Sequence, residues 1–211
     1  MQPVMTMRKA MNLVFDLGGV VFTWNPEQLI QKIFPDNKSR QRVREEIFHH
    51  ADWVALDRGT IDRETAIQRA VSRTGLLRED IATLIYQIPY LLAPIPETIT
   101  LIRRIQQTTA HHLFVLSNMH FASIHHIEQA YPVWDLFDGI VISCRVQMVK
   151  PELDIYQYLL RQYGLCPTDT IFMDDTQANL DAALQVGIQT IRFENAKQCE
   201  RALEGMGCIR N

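Results

Sequence analysis

The chain has 211 residues, 47% of them hydrophobic, and a formal net charge of −3. That length fits one domain, or one core carrying a smaller insert, with enough apolar material for a sizeable core. The mildly acidic balance excludes an electrostatic nucleic-acid binder, and no apolar run approaches the ~18 residues of a membrane span. Arg8 and Lys9 precede a run too short for a secretory signal. Cys144, Cys166, Cys199 and Cys208 lack both C-x-x-C spacing and a secreted disulfide pattern, so reduced thiols in a cytoplasmic protein are expected.

In chain order, residues 1–10 show no periodicity and read as an N-terminal extension. Leu13-Val14-Phe15 is a buried strand that stops on Asp16, and Gly18 and Gly19 free the backbone to turn. Pro26 opens a helix, and a helical signal then runs to about Leu92. Leu29, Ile30, Ile33 and Phe34 recur at helical spacing, as do Val43, Ile47 and Phe48. Asp62 reads as the N-cap of a third helix, with Ala66, Ile67, Ala70 and Val71 on one face and Gly75 as its stop. A fourth helix starts near Glu79. Arg40, Arg42 and Arg44 read as a solvated helix face. Pro94 and Pro96 mark a change of character. After a helix over 97–107, strands at 113–116, 139–143, 170–173 and 188–193 alternate with helices. The expected architecture is α/β: a Rossmann-like parallel sheet core from residues 11–22 and 94–211, with a helical cap inserted at 23–93.

Open parallel sheets bind ligands beyond the carboxyl ends of their strands. Asp16, Ser117-Asn118, Lys150 and Asp174-Asp175 all fall at such ends or in the loops that follow them. Singly, each has an ordinary reading as a cap, turn or surface residue. Together they suit phosphoryl transfer. Asp16 and Asp175, on different strands, would repel unless they shared a hard cation such as Mg²⁺, and glycine at 18 lets its own carbonyl face that metal. Ser117 and Asn118 can donate to phosphate oxygens while Lys150 offsets their charge. A carboxylate not consumed by the metal can attack phosphorus to give an aspartyl-phosphate.

Asp16-Leu17-Gly18-Gly19-Val20, Ser117-Asn118, Lys150-Pro151 and Asp174-Asp175 with Asn179 resemble the four motifs of the haloacid dehalogenase-like hydrolase superfamily, over residues 12 to 195. The helical stretch resembles that superfamily's C1 cap. The Asp-Leu-Gly opening and the Phe-Met-Asp-Asp ending resemble its sugar-phosphate (α-D-glucose-1-phosphate) phosphatase branch, and are similar to the phosphatase domain of soluble epoxide hydrolases. The resemblance implies Asp16 as nucleophile; Mg²⁺ held by Asp16, the Gly18 carbonyl and Asp175; and phosphate binding by Ser117, Asn118 and Lys150. It implies supporting roles for Asp174 and for Asn179, which would orient the loop carrying Lys150 or the metal. The expected partner is a small phosphorylated metabolite, the expected assembly a monomer or homodimer.

One position departs from the pattern: Gly18 stands where most phosphatases of the superfamily carry a second aspartate as acid and base, a function worth about 10²–10⁴-fold. Three readings follow: a phosphatase for an activated leaving group such as a sugar 1-phosphate, a 2-haloacid dehalogenase, or a catalytically weak protein that binds phosphorylated ligands. The seven histidines, in three adjacent pairs and one single, have no helical metal-site spacing and read as surface residues. Trp24 and Trp53 read as core or pocket wall, Tyr156 as packing under the Lys150 loop, and Glu27, Asp57 and Arg58 as specificity contacts.

Overall fold

The computed structural model describes residues 10–108 and 110–209; most of the expected N-terminal extension lies outside them. Five parallel strands form one sheet in the order β3-β2-β1-β4-β5: β1 Asn12–Phe15, β2 His112–Ser117, β3 Gly139–Ile142, β4 Thr170–Asp174 and β5 Gln189–Arg192. β1 is central because its side chains are apolar on both faces. Leu13 and Phe15 pack to one side and Val14 to the other, all with no solvent exposure. The first face is covered by α6 (Pro96–Thr108), α7 (Phe121–Ala130) and α11 (Ala196–Gly205), the second by α9 (Leu153–Tyr163) and α10 (Gln177–Gln185).

Between β1 and α6 lie α1 (Pro26–Ile33), α2 (Asn37–Val43), α3 (Ala51–Arg58), α4 (Arg63–Thr74) and α5 (Arg78–Gln87), with a π-turn at Arg44–Phe48. They share a hydrophobic cluster of their own, separate from the two flanking the sheet. As expected, Asp62 caps α4 by accepting from the Thr65 N–H at 2.8 Å, and Gly75 ends it with φ +66°. The two crossings between bundle and sheet are tied together: Thr23 N–H donates to Ala93 O and Ile95 N–H to Val21 O, both at 2.8 Å.

Several elements differ from the sequence reading. Arg40, Arg42 and Arg44 are half-buried rather than a solvated face. Arg40 donates to Phe34 O and Pro35 O, Arg42 to Thr74 O, and Arg44 chelates Glu27. The first two satisfy carbonyls that helix ends leave open. β3 ends at Ile142, so Ser143 begins a short helix, α8 (Ser143–Val146), instead of closing the strand. The last helix, α11, lies beyond the last expected strand. Its signal is legible in hindsight: Asn195 accepts from Gln198 N–H as N-cap, and Ala196, Cys199 and Leu203 recur on the buried face. No helix among the described residues is long and apolar enough to cross a membrane.

Candidate active site

The parallel register brings three strand ends level. Phe15 pairs with Val115 on one side and Met173 on the other, so Asp16, Ser117 and Asp174 emerge along one edge of the sheet. In the order β3-β2-β1-β4-β5 the succession of the parallel strands reverses between β1 and β4, which makes this edge a crevice. After Asp16 the backbone folds tightly, the N–H groups of Val20, Val21 and Phe22 all donating to Leu17 O. Gly19 has φ +77°, and a Cβ there would sit 2.4 Å from Asp175 Oδ2, so only glycine lets the two loops approach. Gly18 is different. A Cβ at 18 would meet only the Trp24 side chain, at an ordinary 3.8 Å.

Lys150 carries the charge balance. Its Nζ lies 2.9 Å from Asp16 Oδ1 and 2.6 Å from Asp174 Oδ2, with all three residues buried. Asp174 is saturated: it also accepts from Thr176 N–H at 2.8 Å and from Asn179 Nδ2 at 3.1 Å. Asn118 does not aim its amide at Asp16. Its Nδ2 donates to Lys150 O and its Oδ1 accepts from Lys150 N–H, both at 2.8 Å, so it clasps the backbone of the lysine. Tyr156 lies against the Phe172 ring and donates to Asn179 O, while the Lys150 ammonium sits 5.1 Å above that same ring. Ser117 Oγ is buried beside Asp16, close enough to favour the charged carboxylate, yet forms no hydrogen bond of normal geometry. A buried hydroxyl without a partner suits a site that binds a polar ligand.

Burial lifts the Asp16 carboxyl to about 7, against the pull of Lys150 and with Asp174 adding to the rise. Asp175 is raised as well, by burial first and then by Asp174. Among the described residues, the one cluster of His, Cys, Asp or Glu side chains that could hold a metal ion is Asp16, Asp174 and Asp175, with oxygens within 4.8 Å of one another. Three carboxylates against one ammonium leave negative charge uncompensated. With Asp174 fully engaged, the oxygens of Asp16 and Asp175 fit a hard divalent cation.

Above this edge lies a cleft of about 300 Å³, between the sheet and the helical bundle, into which Asp16, Gly18, Lys150 and Asp175 all open. Its outer wall is aromatic. Trp24, Phe48 and Trp53 contact one another, with ring centroids 4.6 to 6.5 Å apart, and Trp24 and Trp53 line the cleft with Ile88, Leu92 and Met119. Asp57 lines it too, and burial pushes its carboxyl up to about 7. The other two proposed specificity residues are elsewhere: Glu27 pairs with Arg44, and Arg58 with Glu152 at 2.6 Å. His120 is the histidine that sequence reasoning missed. It is buried, lines the cleft, and caps α7 through the Ser123 N–H. Burial, then Arg63, lowers its pKa to about 4. Its position directly after Asn118-Met119, at the start of a helix, was the available signal.

An open doubly wound sheet with a carboxylate-lined crevice at its switch point defines an α/β protein built for a charged ligand. The family model for haloacid dehalogenase-like hydrolases matches residues 14–193, and the chain belongs to that family. It is 29% identical over 197 residues to a sesquiterpene phosphatase of Aspergillus oryzae, covering 92% of this chain and 96% of that one. It is 25% identical over 100 residues to a D-ribitol-5-phosphate phosphatase of Bacteroides thetaiotaomicron, 44% of this chain and 48% of the other. A family enzyme from the same bacterium, solved with magnesium and inorganic phosphate, superposes with a TM-score of 0.70 at 22% identity, over 88% of this chain and 95% of that one.

Proposed function

We propose that this chain is a Mg²⁺-dependent phosphatase that hydrolyses a small phosphate monoester through an aspartyl-phosphate on Asp16. The observation that carries the reading is the buried Asp16–Lys150–Asp174 triad with Asp175 and the unpartnered Ser117 hydroxyl beside it. Asp16 is the nucleophile. Lys150 and Ser117 bind the phosphoryl oxygens, Asn118 fixes Lys150 from its backbone, and Asp174 and Asn179 hold the lysine from the other side. Asp16, the Gly18 carbonyl and Asp175 would hold the ion, which supplies charge neutralisation at the phosphoryl group when bound. Residues 23–93 act as the cap, closing the cleft over the substrate and excluding water.

The wall of Trp24, Trp53, Ile88, Leu92 and Met119 favours an ester whose alcohol has an apolar body over a bare sugar phosphate. The likeness to a sesquiterpene phosphatase supports the same preference. Sugar phosphates remain the second reading, because Asp57 and Ser123 line the same cleft and a ribitol-phosphate phosphatase is similar. A 2-haloacid would bring its own carboxylate against three more, which disfavours dehalogenation. The test is phosphate release from isoprenoid, sugar and simple alkyl phosphates, with Mg²⁺ and with chelator. Metal-dependent turnover abolished by Asp16→Asn is the expected result. No turnover of any ester, with phosphorylated ligands still bound, would replace this reading with that of a binding protein.

A further inference from the structure

The usual acid–base position is occupied by Gly18, yet a leaving alkoxide needs a proton. The titratable side chains lining the cleft are Asp16, Asp57, His120, Lys150 and Asp175. Asp16 is the proposed nucleophile, Asp175 belongs to the cation site, and Lys150 is held between two carboxylates. His120 is committed to Ser123, whose N–H and hydroxyl both meet its ring. That leaves Asp57.

Asp57 is also held in place. It is the penultimate residue of α3, and contacts on either side of it pin this helix end to the sheet domain. The Ser143 hydroxyl donates to Asp57 O at 2.5 Å. The next residue, Arg58, chelates Glu152 in the loop after Lys150. Gly59 then fits so closely that a Cβ there would lie 2.7 Å from Cys144 O. The backbone of Asp57 thus belongs to the bundle but is fixed by the sheet domain, while its carboxyl opens into the cleft beside the Trp53 indole and the His120 backbone N–H.

We infer that Asp57, from the helical bundle, is the general acid and base that this chain lacks at position 18. The inference rests on the phosphatase reading. In the first half-reaction an Asp16 oxygen bonds to phosphorus, the phosphorus–alkoxide bond breaks, and the Asp57 proton passes to the departing oxygen, releasing the alcohol. In the second, the Asp57 carboxylate takes a proton from the water that attacks the aspartyl-phosphate. The Asp16–phosphorus bond then breaks, inorganic phosphate leaves, and Asp57 is again protonated. Burial raises the Asp57 carboxyl to about 7, which leaves both its protonated and its ionised form accessible near neutral pH, one for each half.

The test is Asp57→Asn on two esters, an alkyl phosphate and p-nitrophenyl phosphate, whose leaving group departs without a proton. Alkyl ester turnover should fall by about 100-fold or more. With the aryl ester, Asp57→Asn should release one equivalent of p-nitrophenol per site in a burst, then turn over slowly as the aspartyl-phosphate accumulates. Equal losses on both esters without a burst, or no loss on the alkyl ester, would overturn the inference. Should Asp57→Asn melt at the assay temperature, the wild-type protein decides alone. A shallow dependence of kcat/KM on leaving-group basicity across aryl and alkyl phosphates supports a proton donor, and a steep one contradicts it. Wild-type inactivity on every ester, or activity surviving Asp16→Asn, would instead bring down the phosphatase reading and this inference with it.

Discussion

Asp16, Lys150 and Asp174 are nearly inaccessible to solvent, and none would be stable there alone. Their mutual contacts make the lysine the keystone of the site. Lys150→Met should leave two buried carboxylates facing each other and cost about 3–5 kcal/mol, read as a large fall in thermal midpoint. A midpoint close to wild type would mean that Lys150 is not what neutralises them. The adjacent glycines should behave oppositely. Gly19→Ala forces a methyl against Asp175 at positive φ and should destabilise by at least about 2 kcal/mol. Gly18→Ala meets only ordinary contact with Trp24 and should stay within about 1 kcal/mol of wild type. Chemical denaturation of both variants separates backbone need from chemical choice: position 19 requires glycine, whereas position 18 does without an acid.

At the level of elements, His120 makes the start of α7 sensitive to acid. An unfolded histidine titrates near 6.5, whereas burial and Arg63 hold the folded ring near 4. The unfolded chain therefore binds the proton more readily, and stability present above pH 6.5 drains away as pH falls towards 4, by up to about 3 kcal/mol. His120→Asn keeps an N-capping side chain without the titration and should lose less stability than wild type between pH 6.5 and 4, against the opposite slope of the raised Asp16 and Asp57 carboxyls; an unchanged profile would contradict the assignment. The same elements show what was legible in the chain. Asp16, Ser117 and Asp174 each stand at the end of an apolar strand, and a parallel sheet brings strand ends together by register alone, so their meeting is legible in the chain; Lys150 lies past β3 and α8, and only its place in the motif series points to it. Asp57 and His120 come from α3 and the turn before α7, and they meet only once the bundle is docked on the sheet. The arginines of α2 depart from a solvated face for a related reason: their acceptors, Phe34 O and Thr74 O, are helix-end carbonyls that a linear pattern does not reveal.

Across the whole molecule, bundle and sheet keep separate hydrophobic clusters, joined by two short crossings and by the anchored end of α3. The cleft between them is where ligand binding should couple to stability. Mg²⁺ together with an inert phosphate analogue at ~100 times Kd should stabilise the wild type by about 2.7 kcal/mol, and Asp175→Asn should lose the Mg²⁺-dependent part. A thermal shift indifferent to Mg²⁺ would count against the carboxylate cluster as a cation site. Attack by Asp16 would leave a covalent bond on one residue, so the most direct measurement is peptide mass spectrometry of protein quenched in acid during turnover of p-nitrophenyl phosphate. A phosphoryl adduct is expected on the peptide carrying Asp16, dependent on Mg²⁺ and, with this aryl ester, more abundant in Asp57→Asn. Turnover with no adduct on that peptide in either protein, or an adduct on another residue, would contradict it.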